Sequence, residues 1–246
     1  MKANGIVHDL NKHFKGRTSV PTKELFDYLK NLEPDCPDGS ISGKIHLLKQ
    51  NGKINHISRG LYSFTTKTIF QPPVSSEIKK LHARIKKELP YLNFCIWDTR
   101  WFNGLMLHQA NKFYVVIETE KDAMESIFFR LSEGRKNIFL DPDKQTLERY
   151  VSSFPESIII KHLISESPTT TVNGIETASL EKLLVDCVAE KDILASQQDE
   201  LDFIFRTVFE KYNVNIHKAK RYARRRFRLE ELEKMIKAHA QTLAKK

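Results

Sequence analysis

Pro72 and Pro73 stand between two stretches of different hydrophobic periodicity. No helix or strand ladder runs through such a pair, because proline lacks an N–H and pushes the residue before it out of the α region. The sequence is therefore read as two units joined by a connector over about 66–75, with a first unit over 1–68 and a second over 76–246. The length of 246 residues suits this division, since single cores stop growing near roughly 250 residues. With 40% hydrophobic and 29% charged residues, the chain has the composition of a globular protein that buries a proper core.

In the first unit, Ile6, Val7, Leu10 and Phe14 recur at spacings of three and four, which predicts a short helix over Gly5–Phe14. Pro21 then suits a first helical position, and Leu25, Phe26, Leu29 and Leu32 form one face of a second helix. Pro34, Asp35, Pro37, Asp38 and Gly39 break it. A third helix follows over about Ser40–Asn51, with Ile41, Ile45 and Leu48 facing inward. Two β-prone runs, Lys53–Ile57 and Leu61–Phe64, flank Ser58, Arg59 and Gly60, where glycine can supply a positive φ, so they predict a hairpin.

Three helices and a hairpin, in that order, predict a winged helix-turn-helix. In that arrangement two helices and the hairpin brace a third helix for the DNA major groove. The candidate duplex contacts are Ser42, Lys44, His46 and Lys49, with Gln50, on the third helix and Arg59 at the hairpin tip. The Glu33–Gly39 connection is longer than the usual turn of three or four residues. The same order also occurs in interaction modules that never touch DNA.

The second unit opens with a helix over Ser76–Leu89. Strands and helices then alternate: strands Leu92–Trp97, Lys112–Glu118, Asn137–Leu140 and Ser157–His162, with helices Thr99–His108, Asp122–Leu131 and Lys144–Val151 between them. Such alternation predicts an α/β layer. From Ala178 the pattern is helical throughout, over Ala178–Glu190, Asp199–Tyr212, Ile216–Phe227 and Leu229–Leu243. The fold class expected is α/β (α+β), an N-terminal winged helix plus a larger α/β domain ending in helices.

The net charge is +9, and it is segregated. Residues 1–70 carry 11 Lys+Arg against 6 Asp+Glu, residues 71–214 carry 18 against 22, and residues 215–246 carry 11 against 3. Positive charge gathered at the two ends suits a polyanionic partner, because Lys and Arg contacts to phosphates release counterions. Lys218, Arg221, Arg224, Arg225 and Arg228 form the cationic face of one predicted helix, whose other face, Ile216, Ala219, Ala223 and Phe227, should dock. Lys220 and Arg226 stand beside the cationic face. This helix is the candidate partner-binding surface, for an acidic protein or a nucleic acid.

The longest apolar runs fall far short of the roughly 20 residues a membrane span needs. Met1–Phe14 lacks the continuous apolar core of a secretory signal, so a cytoplasmic protein is expected. Cys36, Cys95 and Cys187 are odd in number and far apart, which predicts reduced thiols without a disulfide framework or metal site. No phosphate loop, GxSxG elbow, HExxH pair or Cys/His nucleophile pattern occurs, so no catalytic residue, metal or cofactor is expected. One alternative stands apart from this. Asp98, Glu118 and Glu120, all near strand ends, faintly match the carboxylates of a metal-dependent nuclease.

The run Asn51–Phe64, NGKINHISRGLYSF, resembles the wing of AbiEi-type antitoxins of abortive-infection toxin–antitoxin systems. Ala178–Asp186, ASLEKLLVD, is similar to their C-terminal region, as are Phe209–Tyr212, Ile216 and the RYARRR segment. The resemblance implies a bacterial DNA-binding antitoxin and transcriptional repressor of its own operon. It would bind double-stranded DNA at its own promoter, as a monomer or a homodimer, and counteract a nucleotidyltransferase-like toxin. Arg59 matches the wing residue, with Lys44 and Lys49 as phosphate contacts.

Overall fold

The apolar residues divide into two separate cores, one on each side of the prolines. The computed structural model describes residues 6, 9–10, 12–14, 17, 20–50, 53–58, 60–64 and 68–240. Ile6, Leu10 and Phe14 of the first predicted helix are buried, and residues 9, 10, 12 and 13 are helical; Gly5 and Val7 lie outside the described residues.

Pro21 does not start the next helix but ends a two-residue strand, β1 (Val20–Pro21), and caps helix α1 (Thr22–Leu32) with an extended backbone. Leu25 and Leu29 of α1 face Ile41, Ile45 and Leu48 of α2 (Asp38–Gln50). Leu32, at the last position of α1, is exposed instead of packed. Strands β2 (Ile54–Ser58) and β3 (Leu61–Phe64) form the hairpin, and Gly60 takes φ +78° in its turn. Val20 and Pro21 pair with Tyr62 and Leu61, giving an antiparallel sheet of order β1-β3-β2. Nothing in two residues announces a strand; β1 exists because β3 offers it a partner.

The connector is extended, as paired prolines require, and it is strapped to the second unit. Thr68 N–H donates to the Lys211 carbonyl (3.1 Å), and Asn213 N–H donates to the Thr68 carbonyl (3.0 Å). Phe70 meets Tyr212 edge-on at 5.4 Å, and Trp101 Nε1 donates to the Pro73 carbonyl (3.2 Å).

The second unit is built on a four-stranded mixed sheet of β4 (Phe94–Asp98), β5 (Phe113–Thr119), β6 (Ile138–Leu140) and β7 (Glu156–His162). The order is β4-β5-β7-β6, with β4 antiparallel and the other three parallel. Parallel strands need crossovers, which α4 (Met124–Ser132) and α5 (Lys144–Arg149) supply. Helix α3 (Ser76–Glu88) covers one face, where His82 meets Phe94. The predicted helix over Thr99–His108 is a 3-10 segment, Thr99–Leu105, capped by Asp98.

A second hairpin, β8 (Thr169–Val172) and β9 (Ile175–Ala178), precedes the helical region. Its turn is Asn173-Gly174 with φ +51° and +78°, the left-handed pair that an Asn-Gly hairpin turn uses. Thr177 Oγ1 donates to the Ile96 carbonyl (2.5 Å), which holds β9 across β4. Helix α6 (Leu180–Ala189), capped by Ser179, then crosses the interior, with every residue but Glu181 and Ala189 buried. The short α7 (Ala195–Gln198) leads to α8 (Leu201–Lys211), α9 (Ile216–Arg225) and α10 (Leu229–Ala240), and α8, α9 and α10 each pack against α6. The fold is therefore mixed α/β, and among the described residues no helix is long and apolar enough to cross a membrane.

Candidate functional site

Along α2 successive residues turn by 100°, so burial of Ile41, Ile45 and Leu48 leaves 42, 46 and 49 together on an adjoining exposed face. Ser42, His46 and Lys49 are all exposed there, as is Gln50. Lys44 does not join them. It lies on the opposite flank, one turn after Ile41, and its ammonium is paired with the Glu33 carboxylate. The hydrogen bond from Lys44 holds the Glu33 carboxyl below the usual glutamate range, and the same bond raises Lys44.

The long connection explains this departure. It folds back over the joint between the two helices, where Lys30 bonds the Cys36 carbonyl (2.5 Å) and pairs with Asp38 (3.0 Å) while Lys44 holds Glu33. Two of the first unit's cations thus neutralise its own acids. Arg59 lies outside the described residues.

Helix α9 docks through Ala219, Tyr222 and Ala223, and Tyr222 is fully buried. Lys218, Arg221, Arg224 and Arg225 are exposed and Arg228 is half-buried. Arg221 reaches Glu166 (3.2 Å), Arg225 bonds Ser165 Oγ (2.6 and 2.9 Å), and Arg228 approaches Glu231 (3.8 Å). Two expectations fail here. Phe227 is 87% exposed, because the helix ends before it and the chain turns left-handed, so it never follows Ala223 on the docked face. Arg226 turns inward, away from the cationic face.

Arg226 belongs to a charge network that runs through the core. Lys182, with no exposure, donates from Nζ to Glu118 Oε1 (2.9 Å) and to the Asp186 carboxylate. The Trp97 and Tyr222 rings flank its ammonium at 5.6 and 5.5 Å. Trp97 Nε1 donates to Glu118 Oε2 (2.9 Å), and Tyr222 Oη donates to Asp186 Oδ1 (2.9 Å). Arg226 bonds Glu190 (2.5 Å) and lies 3.8 Å from Asp186; Lys161 holds Glu190 (2.9 Å) and approaches Asp141 (3.7 Å).

Burial works against charge on Lys182, but Asp186 and Glu118 outweigh it and hold its pKa well above the ordinary lysine value. Burial, reinforced by Asp186, pushes the Glu118 carboxyl up despite Lys182. Burial and the Asp186 charge also raise the Tyr222 phenol. Every polar group in this cluster has a partner, which is what a low-dielectric site demands. Cys95 and Cys187 sit beside it as buried free thiols, both pushed up by burial, and Cys36 is a half-buried free thiol.

Sequence reasoning missed this network apart from Glu118. One signal was readable: Lys182 and Asp186 stand one turn apart around Leu183, Leu184 and Val185, a charged pair inside an apolar run.

Glu190 carries a pH consequence. Burial would raise its carboxyl, but Lys161 and Arg226 together outweigh burial and hold it below the ordinary 4.5. A lowered folded-state pKa adds stability above the unfolded value and loses it as pH falls, since the unfolded chain binds the proton first. Stability should therefore drop on acidification below about pH 4.5, and Glu190→Gln should flatten that limb in urea melts at a series of pH values. An unchanged acid limb in the variant would remove this assignment.

The carboxylates of the nuclease alternative are not brought together. Asp98 stands opposite Val115 and Glu118 opposite Cys95, three positions along the ladder, so alternation places them on opposite faces of the sheet. Asp98 is held by Arg100 at 2.8–3.1 Å, Glu118 by Lys182 and Trp97, and Glu120 is exposed. Among the described residues, no three His, Cys, Asp or Glu side chains are placed to hold a metal ion.

No curated protein matches the chain. A profile for a family of unknown function, DUF6577, matches residues 40–242. The match begins inside α2 and takes in the hairpin, every residue of the charge network, α9 and all of α10. Because the matched stretch is most of the chain, the protein belongs to the DUF6577 family.

Proposed function

We propose that the chain is a double-stranded-DNA-binding regulator whose first unit is a winged helix. The observation that carries this reading is the mounting of α2: buried on α1 through Ile41, Ile45 and Leu48, flanked by the sheet β1-β3-β2, and open along Ser42, His46 and Lys49. A helix so braced and so exposed fits the major groove, with the hairpin beside it, and Arg59 is the cation the sequence offers there for the phosphate backbone. The segregated positive charge favours the same polyanion.

The finer reading is of a cytoplasmic antitoxin that represses its own operon and counteracts a nucleotidyltransferase-like toxin. It rests on the likeness of Asn51–Phe64 and Ala178–Asp186 to AbiEi-type antitoxins. The basic α9 is then the surface left for that second partner.

Gel shifts on the chain's own upstream region test the DNA reading. Lys49→Glu with Arg59→Glu should weaken binding by about 1–3 kcal/mol per contact and lower the salt slope by about one per lost phosphate contact. Lys44→Gln, which removes the pair with Glu33, should leave affinity within about twofold, since that cation lies on the flank opposite Ser42, His46 and Lys49. Absence of salt-sensitive binding by the unmutated protein rejects the reading at its first step.

A further inference from the structure

The turn from α9 into α10 has a conformation that its own residue disfavours. Phe227 N–H donates to the Arg224 carbonyl (3.2 Å) and Arg228 N–H to the Ala223 carbonyl (2.9 Å). This paired closure of a helix C-terminus requires the residue after the cap to be left-handed. Phe227 is that residue, at φ +55°. Glycine usually occupies this position because a β-carbon crowds the following carbonyl. Here an aromatic ring takes it and is then left 87% exposed, so among the described residues none covers the bare apolar surface.

The ring borders a groove of about 790 Å³ between the end of α9 and the start of α10, lined by Arg224, Phe227, Leu229, Glu230, Glu231 and Lys234. The cationic face of α9 continues from it through Arg221 and Lys218. Among the described residues, Lys218 and Arg224 make no ion pair. An apolar knob set in excess positive charge is complementary to an acidic chain carrying an apolar side chain. Because Glu230 and Glu231 line the groove beside the ring, the acidic groups of an occupant fall on the α9 cations while the ring itself takes an apolar side chain, which a protein segment supplies and a phosphate backbone does not.

We propose that Phe227 and the outward cations of α9 form a docking site for an acidic protein segment, one of whose apolar side chains packs on the Phe227 ring. The site stands on different residues from α2 and does not depend on DNA binding. Aromatic and arginine side chains together are what dominate binding energy at protein interfaces.

The 246-residue chain is titrated by fluorescence anisotropy with a labelled peptide of Asp and Glu interrupted by two leucines. An all-acidic peptide of equal length and a single-stranded oligonucleotide serve as comparisons. Salt-sensitive binding of the leucine-bearing peptide is expected, tighter than that of the all-acidic one. Phe227→Gly should weaken it by about tenfold, the loss of one anchor side chain. The same variant should raise Tm by roughly 2–4 °C, because glycine relieves the left-handed strain. Binding would then be lost in a better-folded protein. Arg224→Glu with Arg225→Glu should weaken the peptide similarly and steepen nothing else. No binding, equal affinity for the two peptides, indifference to Phe227→Gly, a lowered Tm in that variant, or a tighter, Phe227-dependent grip on the oligonucleotide would each overturn the proposal.

Discussion

Lys182→Met should lower the free energy of unfolding by about 3–5 kcal/mol, measured by urea denaturation near neutral pH. Methionine nearly matches the shape of lysine, so packing against Trp97 and Tyr222 is largely kept and the loss is electrostatic. Glu118 and Asp186, 3% and 1% exposed, are left facing each other without the ammonium between them. Among the described residues, Asp186 keeps Tyr222 and the more distant Arg226, whereas Glu118 keeps the Trp97 N–H alone, so Glu118 bears most of the penalty. Its carboxyl, already raised by burial, should take up a proton in the variant and moderate the loss as pH falls. Adding Glu118→Gln and Asp186→Asn to Lys182→Met should recover most of the stability, because a neutral cluster no longer buries uncompensated charge. A single variant within about 1 kcal/mol of the parent would mean that water reaches the cluster in solution, and the account of a dry charge network would fail.

Arg226→Gln and Arg225→Gln should behave as different kinds of mutation although the residues are neighbours. Arg226, with a side chain only 12% exposed, bonds Glu190 and faces Asp186; its removal leaves a buried and a half-buried carboxylate short of a cation and should destabilise by about 2–4 kcal/mol. Arg225 is exposed and bonded to Ser165 Oγ, so its replacement should stay within about 0.5 kcal/mol. The Arg226 variant should also admit protease faster between α9 and α10, since its guanidinium ties the end of α9 to α6. Equal stabilities for the two variants would show that the inward turn of Arg226 contributes nothing.

These neighbours also mark where the sequence stops being readable. The three-and-four spacing of Ile41, Ile45 and Leu48 was enough to place the inner face of α2, and the short uninterrupted apolar runs around Val116 and Ile159 were enough to place β5 and β7. Those elements answer to a local period. Which arginine of a consecutive run turns inward depends on where the helix ends, and the expectation that α9 reached Phe227 put Arg226 on the wrong side. Lys44 failed for a related reason: it looked like a groove contact until the connection folded Glu33 against it.

Other features were signalled and overlooked, or were not signalled at all. Asn173-Gly174 announces a hairpin, but the threonine-rich flanks hid it behind the helical pattern that follows. Strand β1 has no local signature and is made by its partner. The Lys182 network combines residues from β4, β5, α6 and α9, so only the Lys182–Asp186 spacing lies within reach of a one-dimensional reading. The candidate DNA face of the first unit was therefore partly legible, and the polar core of the second unit was not.

Thr68 changes what kind of joint the prolines make. A tether lets one module sample a cloud of positions, so a ligand on one side has no say over the bearing of the other. Here the strand of chain leaving the hairpin is laced to the end of α8 by its own amide and carbonyl, with an aromatic ring pressed onto Tyr212 one step further on. Displacing Tyr212 would therefore unseat Phe70 and loosen the hold on Thr68 together, a coupling that a slack tether lacks.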